Sequence, residues 1–130
     1  MITVEQQQRI RELLSDTGYE VGALLVLLTN TDGHPISSWS RLSYIDAEHV
    51  ALLSAASTVA RVALVEQLGA RSSYSSIVQE YDDHTLLVLH LGYNLALVVA
   101  FDDTSRLGWV RMVARRAGRM IYDTLIHSSA

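Results

Sequence analysis

The segment from Asp46 to Leu68 constrains this chain more than any other. Asp46 is a good helix N-cap, Glu48 and His49 fall in the first turn, and Gly69 stands just past the end. At 100° per residue, Val50, Leu53, Ser57, Ala60, Leu64 and Leu68 share one face. Leu52, Ala56, Val59 and Ala63 form a second face, and Ala51, Ala55 and Val62 fill much of the remainder. After His49 the only charged residues are Arg61 and Glu66. A helix apolar nearly all round must be covered on more than one side. One flank can lie on a sheet of the same domain. A chain of 130 residues has too few other elements to cover the rest. The small side chains at Ala56 and Ala63 suit close approach by another helix, so the segment predicts a partner subunit.

The remaining elements alternate in a simple order. Thr3–Ser15 carries a thin apolar stripe of Val4, Ile10, Leu13 and Leu14, with Thr3 and Gln6 spaced as a capping box and Asp16-Thr17-Gly18 as the expected stop. Gly22–Leu28 is a continuous apolar run, the pattern of a strand covered on both faces. The turn dipeptide Asp32-Gly33 and a more polar strand, Pro35–Ser40, complete a hairpin. Proline lacks the ladder donor, which puts this second strand at a sheet edge. Further strands read as Tyr74–Tyr81, Thr85–Leu91 and Leu95–Phe101, separated by Asp82-Asp83-His84 and Gly92-Tyr93-Asn94. Such short turns force antiparallel neighbours. A last helix covers Arg106–Ile126, with the stripe Leu107, Val110, Ala114, Ala117, Ile121 and Leu125, and with Asp102 and Asp103 expected to complement its dipole. The fold class is therefore α+β. One domain over residues 1–130 holds a five-stranded antiparallel sheet, with the long middle helix on one face and the terminal helices on the other.

Composition excludes several chemistries. With 49% hydrophobic residues and a net charge of -4, the chain is globular rather than disordered. It contains no Cys, which removes thiol catalysis and thiolate metal sites, and no Lys, which removes a Walker-type phosphate loop and Schiff-base chemistry. The acidic balance argues against nucleic acid. The run Leu86–Phe101 is broken by His90, Gly92 and Asn94 and falls short of the roughly 20 residues a membrane helix needs. The first residues have no basic region followed by an apolar one, so a cytoplasmic location is expected. The five histidines, His34, His49, His84, His90 and His127, include no metal-binding pair at helical spacing, and Asp82-Asp83-His84 reads as a turn. His90 reads as a strand residue with a local hydrogen-bond partner. No nucleophile elbow is present, so no catalytic residue, metal or cofactor is expected and the chain is not read as an enzyme. Arg111, Arg115, Arg116 and Arg119 give the last helix a basic flank, read as solvated surface.

The ordered set of Gly22-Ala23-Leu24-Leu25-Val26, the Asp32-Gly33 turn, the Ala-rich helix closing at Gln67-Leu68-Gly69, Leu95–Ala100 and Leu107-Gly108-Trp109-Val110-Arg111 resembles the Roadblock/dynein-light-chain family. The resemblance runs from about Glu5 to Tyr122. It implies a profilin-like or longin-like sandwich that dimerises through the middle helix and the strand after it. Leu52, Ala56, Val59, Ala63, Ile77 and Val78 are then the interface residues. Stand-alone bacterial members of this length partner a small Ras-like GTPase in cell polarity and gliding motility. The resemblance thus implies a homodimer, or a higher even oligomer, that promotes the GTPase's switch or its GTP hydrolysis. The implied partner-binding strip is His49, Ser54, Thr58, Arg61 and Val65. Arg61 has the chemistry of an arginine finger, but a solvated or intersubunit ion pair is the preferred reading. The alternatives are an adaptor dimer without effect on nucleotide chemistry and a small-ligand sensor.

Overall fold

A computed structural model describes residues 2–30, 32–42, 46, 50, 67–68, 76–80, 82–92 and 94–127. Its first helix, α1 (Val4–Val21), opens on the expected capping box. Thr3 Oγ1 accepts from the Gln6 N–H at 3.0 Å, and Gln6 Oε1 accepts from the Thr3 N–H at 2.8 Å. The helix does not stop at Asp16-Thr17-Gly18. The Thr17 hydroxyl donates back to the Leu13 carbonyl, and Gly18 stays helical because the Trp39 ring lies against it. The true stop is Gly22, left-handed at φ 68°, whose N–H reaches the Gly18 carbonyl. Of the expected stripe, Ile10, Leu13 and Leu14 are buried, but Val4 is exposed.

The strands are β1 (Leu25–Asn30), β2 (Pro35–Ser40), β3 (Ser76–Glu80), β4 (His84–Gly92) and β5 (Leu95–Asp102). They form one antiparallel sheet in the order β2-β1-β5-β4-β3. The most apolar strands, β1 and β5, take central positions, and Pro35 begins an edge strand as expected. Strand β1 starts later than the apolar run because Gly22 caps α1, although the Leu24 N–H still bonds the Ala100 carbonyl. The β1–β2 turn contains Gly33 at φ 92°. Asn30 Oδ1 organises it by accepting from the N–H groups of Asp32 and His34.

Alternation divides the sheet between two cores. On one face Val26, Leu28, Leu87, Leu89, Leu97 and Val99 pack beneath α1 and the C-terminal helix α2 (Leu107–His127). Val110, Ala114, Ala117 and Ile121 of α2 are buried there as expected, with Leu107 and Leu125 partly so. On the other face Leu25, Leu27, Val88, Ala96 and Val98 are buried, and Val50 packs against them. Each large aliphatic side chain so buried contributes about 1.5–3 kcal/mol relative to exposure.

The two helices run antiparallel and are tied at both ends. Gln6 Nε2 donates to the Thr124 carbonyl at 3.1 Å, and the Ser105 hydroxyl donates to the Val21 carbonyl at 2.6 Å. Asp102 and Asp103 do not serve the α2 dipole, because no acidic residue lies in its first turn. Asp102 instead ends β5 and organises the turn that follows.

Most of the Asp46–Leu68 segment lies outside the described residues. At its start the Val50 N–H bonds the Asp46 carbonyl at 3.1 Å, as expected for a helix capped by Asp46. At its end Leu68 is exposed rather than part of a covered face.

Candidate functional site

The two edges of the sheet are chemically different. The β2 edge begins with Pro35, has a register irregularity opposite Leu28/Thr29, and carries the polar run Ser37, Ser38 and Ser40. All three features blunt an edge against another strand. Among its described residues the β3 edge has no proline and no register irregularity, and its polar Gln79 and Glu80 follow the apolar Ile77 and Val78. It pairs β4 in unbroken register, with Ile77 opposite Val88 and Val78 opposite Leu87. Its side chains are half-buried from Ser76 to Gln79. Ile77 joins the core on the Val50 side, whereas Val78 joins the core beneath the helices, so both cores extend to this strand. β-branched residues in regular register suit strand pairing.

The expected interface is thus described only in part. Ile77 and Val78 lie together on the β3 edge. Leu52, Ala56, Val59 and Ala63 lie outside the described residues, as do His49, Ser54, Thr58, Arg61 and Val65.

His34 and His84 are exposed, His90 is half-buried in β4, and no group of three His, Asp or Glu side chains among the described residues could hold a metal. Thr104 holds Asp102 through both its hydroxyl and its N–H, the latter at 3.0 Å, while Arg41 lies 3.8 Å away. Hydrogen bonds from Thr104, aided by Arg41 and His84, draw the Asp102 carboxyl below its ordinary pKa. Arg116, one member of the basic flank, forms a 2.6 Å ion pair with Glu20 of α1. A cleft of about 440 Å³ opens between β4 and α2, with Leu89 and Leu91 at its apolar wall and Arg115 and Arg119 at its rim. Sequence periodicity alone did not reveal this cleft, since its two sides are distant in the chain.

A five-stranded antiparallel sheet with a core on each face and two helices over one of them defines a small α+β domain. The chain belongs to the Roadblock/LC7 domain family, which matches residues 9–101. Among solved structures it is similar to MglB of Myxococcus xanthus, with 26% identity and a TM-score of 0.86, covering 99% of this chain and 95% of that one. It is also similar to the gliding protein MglB of Thermus thermophilus, again with 26% identity, at a TM-score of 0.85 over 95% of this chain and 93% of that one. Profilin from Schizosaccharomyces pombe shares the fold at a TM-score of 0.61 and 11% identity, covering 86% of this chain and 95% of that one. The fold is therefore a profilin-like Roadblock sandwich. No curated protein sequence matches the chain. Among the described residues no helix is long and apolar enough to cross a membrane.

Proposed function

We propose that this chain is a homodimeric, MglB-like regulator that binds a small Ras-like GTPase and promotes its switch or its GTP hydrolysis. The observation that carries this reading is the likeness to MglB along nearly the whole length of both chains. The apolar periodicity of Asp46–Leu68 and the β-branched β3 edge supply its physical basis. Two copies joined at β3 would make one continuous sheet, and the small residues Ala56 and Ala63 would let the middle segments approach closely. The GTPase would meet the strip His49, Ser54, Thr58, Arg61 and Val65. The chain acts as a regulator and not as a catalyst, with the nucleotide chemistry carried out by the GTPase.

GTP turnover by a small Ras-like GTPase, measured with and without this protein, tests the reading. Turnover should rise, and the two proteins should co-elute in at least one nucleotide state. Absence of binding in both states would sink the proposal, whereas binding with unchanged hydrolysis and exchange would make the protein an adaptor. Ala56→Arg or Ala63→Arg should abolish pairing, because a charge would enter a close helix contact. Arg61→Ala should weaken binding of the GTPase but leave turnover at saturating protein largely intact, since Arg61 is assigned to the contact strip and not to a finger.

A further inference from the structure

The outer surface of α1 and α2 carries an apolar row between two rows of opposite charge. Trp109, Met112 and Met120 are 43%, 58% and 39% exposed. With Arg116 between the methionines they follow helical spacing along one side of α2, whereas isolated exposed apolar side chains are ordinary. On α1 the exposed acidic residues Glu12, Asp16 and Glu20 recur every fourth position, with Arg9 paired to Glu12 at 3.5 Å at the N-terminal end of the row. On α2 the exposed Arg115 and Arg119 recur at the same interval. The face is therefore acidic over one helix, basic over the other and apolar in part between them.

We infer that this helical face is a self-association surface whose occupant is the same face of a second copy. A twofold axis brings the same patch of each copy together. Laid across one another in this way, the acidic row of α1 meets the basic row of its partner's α2, and the methionines share the centre. The 2.6 Å pair between Glu20 and Arg116 shows the same chemistry within one protomer, and it neutralises a charge beside the apolar row. An anionic membrane or a nucleic acid would be repelled by the acidic row, whereas a second copy uses both signs. The inference does not rest on the GTPase reading. This surface covers the sheet face opposite Val50 and is separate from the β3 edge, so the two contacts together would assemble four copies.

Sedimentation velocity of the full chain, from micromolar to millimolar concentration, tests it. Met112→Arg should weaken the helical-face contact about thirtyfold or more, as loss of a central interface residue does. Glu12→Arg/Asp16→Arg makes the face basic, and Arg115→Glu/Arg119→Glu makes it acidic. Each variant alone should lose the contact, and mixing the two should restore it as a mixed assembly seen by native mass spectrometry. Ile77→Arg separates the two surfaces, since Ile77 lies on the β3 edge and packs on the Val50 side of the sheet, away from the helices. An Ile77→Arg protein that still pairs, and loses pairing on addition of Met112→Arg, supports the helical face and isolates it from the β3 reading. Association unchanged by Met112→Arg, together with charge variants that fail to assemble on mixing, would overturn the inference.

Discussion

Gly18→Ala offers a sharp test of how α1 is seated on the sheet. In a helix interior alanine is favoured over glycine by about 1 kcal/mol, so local propensity alone expects a more stable protein. The structure expects the opposite. A β-carbon at Gly18 would stand 2.2 Å from both Cε3 and Cζ3 of Trp39 and 2.8 Å from Cδ2. These atoms belong to the rigid ring system, so relief requires the whole indole to move by more than about 1 Å, since carbon contacts settle near 3.5–4.0 Å. Movement of the ring also disturbs its tilted contact with Tyr19, where the centroids are 5.2 Å apart. Overpacking costs about 1–3 kcal/mol and loss of an aromatic pair about 0.5–1.5 kcal/mol. After subtracting the propensity gain, a net loss of about 1–3 kcal/mol is expected. The assay is denaturant unfolding at fixed protein concentration, with the same substitution made in a Trp39→Ala background. There the clash is gone, and Gly18→Ala should become stabilising by about 1 kcal/mol. A neutral or stabilising effect in the native background would refute the seating of Trp39 on α1.

Two further outcomes follow from particular groups. Asp102 has a lowered folded-state pKa, so its ionised form contributes stability that is fully present above its unfolded pKa and lost as the pH falls through the folded value. The stability difference between the native protein and Asp102→Asn should therefore shrink on acidification below the ordinary carboxylate range; a difference independent of pH would contradict the Thr104 contacts. Thr3→Ala should cost about 1 kcal/mol by unfolding, the usual value of an N-cap. Gln6→Ala should cost more, because Gln6 also ties α1 to the Thr124 carbonyl. Equal costs would argue against that tie.

Local chemistry explains which expectations matched the fold. Alternation and turn residues placed the five strands within a few positions, because Asp32-Gly33 and Gly92 supply backbone conformations with positive φ. Helical periodicity located the buried side of α2 for the same reason: a side chain every 3.6 residues faces one direction. The mistakes occurred where distant contacts decide. Gly18 looks like a helix stop in sequence, but its missing side chain makes room for Trp39. Asp102 looks like a complement to the α2 dipole, but Thr104 and Arg41 engage it in the turn. Of the candidate interface, Ile77 and Val78 were legible as strand residues, while the place of their strand at the end of the sheet depends on the order of all five.

The sequence by itself determined the five strands and the two terminal helices, the absence of thiol and lysine chemistry, and the apolar excess of Asp46–Leu68, since these depend on residue type and spacing. Tertiary structure decided which strand stands at each edge, how far α1 runs, and that Trp109, Met112 and Met120 share an exposed row beside two lines of opposite charge. Those properties arise from the packing of segments far apart in the chain, and a local pattern contains no record of which surfaces will meet.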